Sequence, residues 1–148
     1  MKINDFRIKQ FVIIALLTSI WINVSEVFRY FVLVMPRVQS FFDYKSGIAE
    51  MDISIFSIWG FWDMLLSALL VFLFWLYARE FGNRFQSVLV SSTIIWLCVF
   101  VIFWVATANM GLSNWSILLI TLPLSWLEMV VAAWIASKLY QTRRWMPQ

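Results

Sequence analysis

Four long apolar stretches dominate the sequence and leave little choice of fold. They cover residues 11–35, 53–77, 85–110 and 115–140. About 20 apolar residues cross the hydrocarbon core of a bilayer as an α-helix, whereas strands of membrane barrels are about half that length. Only helices and closed barrels span lipid, because lipid offers the backbone no hydrogen-bond partner. The sequence therefore predicts an all-α integral membrane protein, a single transmembrane domain over 1–148 built as a four-helix bundle.

The composition agrees with a membrane location and excludes several kinds of chemistry. Apolar residues make up 63% of the chain and charged residues 13%, against about 25% charged in soluble domains. The absence of histidine and the single cysteine exclude imidazole-ligated metals, histidine-dependent catalysis and disulfides. The sequence also lacks a Walker loop and a dinucleotide-binding glycine pattern. We expect no cofactor, no metal site and no nucleic-acid partner.

Basic residues outside the apolar cores predict the orientation of the bundle. Eight of the eleven lysines and arginines lie on one side, in the N-terminal arm, in the second loop and at the C-terminal end. Arg37 and Lys45, in the long first loop, lie on the other side, and Arg29 falls within a span. We predict that both termini are cytoplasmic, in a membrane of the bacterial inner type. The first loop, residues 36–52, is either a solvated loop or an amphipathic turn on the membrane surface.

A weak internal repeat relates the two halves of the chain. Trp-Asp-Met around Asp63 aligns with Trp-Leu-Glu-Met around Glu128, and Thr18–Trp21 resembles Thr93–Trp96. The chain would then consist of two helical hairpins in the same orientation, as in transporters with parallel repeats. The alternative is chance, because the chain contains 10 tryptophans.

A layer of polar residues inside the spans is the candidate site. The first span carries Asn23, Glu26 and Arg29, the second carries Asp63 and the fourth carries Glu128. A charge at mid-bilayer costs at least about 2.5–3.5 kcal/mol, so such side chains face a bundle interior or a wet cavity. At about 1.5 Å per residue, the charged residues lie about 9–20 Å below the outer ends of the spans. We interpret the layer as a binding site for a proton, an ion or a small solute.

Residue spacing predicts how the layer is paired. Glu26 and Arg29 are three residues apart on one helix and close enough to pair. This pair leaves Asp63 and Glu128 without an obvious cation. Either Arg29 is shared among the acids, or one or both remaining acids carry a proton at neutral pH.

Small and polar residues at three- and four-residue spacing predict the buried helix faces. Pro123 is expected to loosen the fourth helix, and the third, without proline or glycine, is expected to be rigid. The predicted faces are Ser19, Asn23, Glu26 and Tyr30 in the first span, Ser57, Gly60, either Asp63 or Met64, and Ser67 in the second, Ser87, Ser91 and Cys98 in the third, and Thr121, Ser125, Glu128, Ala132 and Ala136 in the fourth.

Three functions account for such a layer. Our first hypothesis is a transporter or transporter subunit, surrounded by membrane lipids and working as a homo-oligomer or with a partner membrane protein, because four helices are few for a transport path. The first alternative is a non-enzymatic accessory, assembly or immunity protein that binds another membrane protein. The second is an intramembrane enzyme acting on a lipid or isoprenoid, with a carboxyl group as general acid and Trp59, Trp62 or Trp126 stabilising a carbocation.

Overall fold

A computed structural model describes residues 7–42 and 52–142, and the regular structure within them is helical. Four of its helices are long and apolar enough to cross a membrane. They are α1 (Ile8–Phe41), α2 (Ile53–Phe81), α3 (Phe85–Asn109) and α4 (Trp115–Gln141). The prediction of an all-α chain with four candidate spans is confirmed. The orientation of the helices in a membrane, the single domain and the internal repeat stay predictions.

Short polar side chains and glycines set the boundaries of these helices. Asp52 caps α2 by accepting a 2.8 Å hydrogen bond from the Ile55 backbone N–H. Asn114 caps α4 in the same way, by accepting a 3.0 Å hydrogen bond from the backbone N–H of Ser116. Both side chains satisfy an amide that has no partner inside the helix. After α2 the chain turns at Gly82, whose φ of 86° is costly for residues with a Cβ.

α1 and α3 each contain a wide π-helical turn, at Tyr30–Val34 and at Trp96–Val101. α3 contains this turn although it has neither proline nor glycine, and its rigidity stays a prediction. In α1 the helix continues past Pro36 to Phe41, beyond the predicted end at residue 35. Pro36 lies in the first turn of the segment Met35–Phe41 that follows the π-helical turn, where a missing N–H is tolerated. The predicted first loop is shortened accordingly, and residues 43–51 lie outside the described residues.

The four helices pack as a bundle that is tight at one end. α1 and α3 each pack against both α2 and α4, and α2 also contacts α4. α2 meets α3 through the first half of α3, Phe85–Ile95. The core near the α2–α3 connection is built from residues with almost no exposed surface, including Leu70, Phe74, Ala133 and Ala136. At the other end of α2, every residue from Ile53 to Trp62 is exposed or half-buried, so most of the helix surface there is uncovered.

The predicted buried face is confirmed in full for α4 and in part for the other helices, where Asn23, Glu26, Tyr30 and Gly60 are half-buried. All five residues of the α4 face are buried, as are Ser19 in α1, Asp63 and Ser67 in α2, and Ser87 and Ser91 in α3. Ser57 is exposed because it lies in the uncovered end of α2. Cys98 is also exposed, which contradicts its predicted packing role. The π-helical turn is the reason: Ile95 and Phe100, five residues apart, are both buried, so the buried face passes Cys98 by.

Candidate functional site

Arg29 of α1 forms the centre of a buried cluster. Its Nη2 donates to Glu26 Oε1 on the same helix, and its Nε donates to Oε2 of Glu128 on α4 at 3.4 Å. Arg29 and Glu128 are 6% and 5% exposed, whereas the Glu26 side chain is 22% exposed. Arg29 is therefore shared between two acids, which is the first of the two arrangements considered from the sequence.

Glu128 has a second partner that the sequence did not single out. The Ser25 hydroxyl lies 2.6 Å from Glu128 Oε1 and 2.8 Å from the backbone carbonyl of Trp21. The indole N–H of Trp21 donates to the Glu128 backbone carbonyl at 3.2 Å. Trp21, Ser25 and Arg29 are spaced four residues apart, so they form one stripe on α1 that faces α4. That spacing was the available signal, but serine and tryptophan are too frequent in this chain for it to stand out.

Phe100 closes the cluster from α3. The Arg29 guanidinium lies 5.4 Å from the centroid of the Phe100 ring, which is within range of a cation–π contact. Phe100 is buried because it lies in the π-helical turn of α3. Wide turns of this kind occur frequently at functional sites. An apolar residue of this type carries no sequence signal that would assign it to a polar site.

Asp63 lies near the cluster without joining it. It is 6% exposed on α2 and lies within electrostatic range of both Glu26 and Arg29. Within residues 7–42 and 52–142, its carboxylate makes no ion pair shorter than 4 Å and no hydrogen bond. Asp63 is thus a buried acid, and Arg29, a positive charge within electrostatic range of it, is already engaged by two other carboxylates.

Asn23 belongs to the contact between α1 and α2 instead of the cluster. Its Nδ2 donates to the backbone carbonyl of Ser19 at 2.9 Å. Its Oδ1 faces the backbone of α2 at Gly60, where a Cβ would lie 3.4 Å from that oxygen. Of the five predicted site residues, the structure brings Glu26, Arg29 and Glu128 into direct contact, places Asp63 nearby and gives Asn23 a packing position.

The tryptophans considered for a carbocation site are not gathered around an acid. The Trp126 indole N–H donates to Thr93 Oγ1 at 3.0 Å. Trp59 and Trp62 are each 51% exposed in the uncovered end of α2. α4 is also continuous through Pro123, so the predicted loosening does not interrupt this helix.

Chemically, the site is an excess of carboxyl groups around one guanidinium. If Glu26, Asp63 and Glu128 were all ionised, their three negative charges would face the single positive charge of Arg29. Among the described residues, no group of three or more histidine, cysteine, aspartate or glutamate side chains is arranged to hold a metal ion.

Comparisons with protein families, with curated proteins and with solved structures found no match.

Proposed function

We propose that the chain is a membrane transport protein, or a subunit of one, in which Glu128 and Asp63 take up and release a proton. A cation or small solute would be carried in exchange for that proton or together with it. The observation that carries the proposal is the position of Ser25 between Glu128 and the Trp21 carbonyl. A serine hydroxyl has one proton to donate and can also accept a hydrogen bond.

This position of Ser25 accommodates both protonation states of Glu128. When Glu128 is ionised, Ser25 donates its proton to the carboxylate at 2.6 Å. When Glu128 is protonated, its O–H donates to Ser25, and Ser25 turns its own proton to the Trp21 carbonyl at 2.8 Å. In both states the Glu128 carboxyl group, the Ser25 hydroxyl and the Trp21 carbonyl each keep a hydrogen-bond partner. The free-energy cost of a buried polar group without a partner is therefore avoided in both states.

The charge balance supports a proton as the minimum cargo. An unpaired charge buried in a membrane protein is costly, and buried acids in spans are characteristic of proton relays. Asp63 has no donor in the part of the chain that the structure describes, so a proton neutralises it in place. Arg29 stays positively charged throughout. Its guanidinium can shift toward Glu26 when Glu128 gains a proton, or toward Glu128 when Glu26 does.

The same features favour an assembly over a lone chain. Four helices enclose little space for a path, and α2 is uncovered between Ile53 and Trp62. We propose a homo-oligomer, or a complex with a partner membrane protein, in an inner membrane with both termini cytoplasmic. The uncovered end of α2 also favours the second candidate function, an accessory or assembly protein. The molecular mass in mild detergent shows whether a partner is bound. A fixed stoichiometric partner, with no proton movement that depends on Asp63 and Glu128 even in its presence, indicates the accessory function.

Proton flux in proteoliposomes tests the proposal directly. The purified chain is reconstituted, a pH gradient and a potassium–valinomycin potential are imposed, and an enclosed pH-sensitive dye reports proton entry. We expect the wild-type chain to dissipate the gradient faster than empty liposomes. We expect the double variant Asp63→Asn, Glu128→Gln to return the rate to that of empty liposomes.

Asp52→Ser is the matched control, because it removes an exposed carboxylate but keeps a residue that can cap α2. This variant should retain the wild-type rate. Unchanged flux in the double variant would disprove the proposal, as would a wild-type rate no greater than that of empty liposomes when the chain is reconstituted with any stoichiometric partner that co-purifies. Infrared difference spectra between acidic and neutral pH provide a second readout, because a carboxyl band should be lost on substitution of either acid.

A further inference from the structure

An open groove lies between α2 and α3, near the connection between these helices and away from the uncovered end of α2. Its volume is about 490 Å³, which is within the usual range of small-molecule sites. Leu73, Leu76 and Ile94 provide apolar wall, and Tyr77, Arg79 and Glu80 lie toward the end of α2. None of these residues belongs to the Arg29 cluster.

The two charges on the groove are not neutralised by each other. Arg79 and Glu80 are exposed neighbours in the last turns of α2. Neither makes an ion pair within 4 Å with any residue in 7–42 or 52–142. The Arg79 guanidinium instead lies 5.6 Å from the centroid of the Trp75 ring. A ligand at this position therefore meets one positive and one negative group above an apolar wall.

We propose that this groove binds a glycerophospholipid whose headgroup carries a primary ammonium. The acyl chain lies along Leu73, Leu76 and Ile94, the phosphate contacts Arg79, and the ammonium contacts Glu80. A groove on the outer face of two membrane-spanning helices is filled by lipid or by another helix. A transmembrane helix would bring apolar side chains against the two charges, whereas a zwitterionic headgroup matches both of them. Basic groups at the cytoplasmic ends of spans commonly contact lipid headgroups.

Native mass spectrometry of the full chain in mild detergent tests the assignment. Matched-chain phosphatidylethanolamine, phosphatidylcholine and phosphatidylglycerol are added in turn, and retained adducts are counted. We expect phosphatidylethanolamine to be retained about two- to fivefold more than either competitor, the range for one partly exposed ion pair. The methylated ammonium of phosphatidylcholine cannot donate a hydrogen bond, and phosphatidylglycerol has no ammonium.

Variants identify which group provides the preference. Glu80→Gln should abolish the preference for phosphatidylethanolamine, and Arg79→Gln should lower retention of all three lipids. Ile94→Trp should lower retention by filling the groove while leaving both charges in place. The control is Arg84→Gln, an exposed arginine that does not line the groove, and it should behave as wild type.

Equal retention of the three lipids would overturn the assignment, and so would a preference that survives Glu80→Gln. Displacement of lipid by a stoichiometric protein partner in the groove would also overturn it. The proton-flux experiment is independent of these results, because neither Arg79 nor Glu80 lies in the Arg29 cluster.

Discussion

Replacing Arg29 by methionine tests whether the buried cluster is a charge-balanced site or ordinary packing. The substitution keeps a long apolar stem but removes the cation that contacts Glu26 and Glu128. Removing one partner of a buried ion pair costs about 3–5 kcal/mol, because the remaining charge is left uncompensated. Glu26 is partly exposed and the contact with Glu128 is long, at 3.4 Å. We therefore expect the free energy of unfolding to fall by about 3 kcal/mol, the lower end of the range, which is roughly 150-fold in the unfolding equilibrium.

Two further variants separate charge balance from the loss of contacts. Glu128→Gln leaves Arg29 paired with Glu26 and Ser25 beside an amide oxygen, so it should cost about 1 kcal/mol. The triple variant Arg29→Met, Glu26→Gln, Glu128→Gln contains no charge in the cluster. Replacing a complete buried ion pair by neutral groups is often close to neutral. We expect its stability to lie within about 1 kcal/mol of the wild type and well above that of Arg29→Met alone.

The assay is equilibrium unfolding in mixed micelles at constant pH, followed by tryptophan fluorescence and by circular dichroism. Arg37→Met, at an exposed arginine on the same helix, is the control and should stay within about 0.5 kcal/mol of wild type. Polar contacts between membrane helices average about 0.6 kcal/mol when they act only as packing. A cost of that size for Arg29→Met would refute the reasoning. A triple variant as unstable as Arg29→Met would refute it as well.

Three smaller changes follow from the same contacts, with unfolding measured in the same assay. Ser25→Ala should cost about 1 kcal/mol because the carboxylate on α4 loses a donor, and Ser54→Ala, at an exposed serine, should cost nothing measurable. Phe100→Leu should cost at least about 1 kcal/mol more than Phe103→Leu, because Phe100 is buried and contacts the guanidinium whereas Phe103 is 53% exposed; equal costs would contradict the contact. Gly60→Leu should separate α1 from α2 and cost at least about 1–3 kcal/mol, the range for overpacking, whereas Gly60→Ala should be mild; the reverse order would contradict the close approach at this glycine.

Much of the fold could be predicted because its signals are local. The length of each apolar stretch predicted a helix long and apolar enough to cross lipid, and the predicted starts of two helices at residues 53 and 115 agree with the structure. The α4 face from Thr121 to Ala136 was also predicted correctly, since α-helical spacing is regular there. Prediction from α-helical spacing was wrong at Cys98, because the π-helical turn of α3 shifts the buried face by one residue. The prediction that Ser57 is buried was also wrong, because burial at that end of α2 depends on which parts of other helices cover it.

The candidate site was predicted as a set of residues but not as an arrangement. The high cost of charge in a bilayer singled out Glu26, Arg29, Asp63 and Glu128 without any structure. Only the Glu26–Arg29 pair could be deduced from spacing, because both residues lie on one helix. Asn23 was selected for its polarity alone, and the structure places its side chain against its own helix and Gly60.

The sequence by itself determined that this protein is an all-α chain with four helices suited to a membrane, and which of its residues are costly there. Backbone hydrogen bonding requires each apolar stretch to be helical, and hydrocarbon thickness sets the length it needs. Both constraints act on each stretch separately, so they can be applied without knowing which helices lie beside it. The tertiary structure alone decided that Arg29 is shared with Glu128, 99 positions away in the chain. It also decided that Ser25 and Phe100 complete the cluster and that Asp63 stays outside it. Those contacts depend on how the helices are rotated and spaced relative to one another, which is a property of their packing.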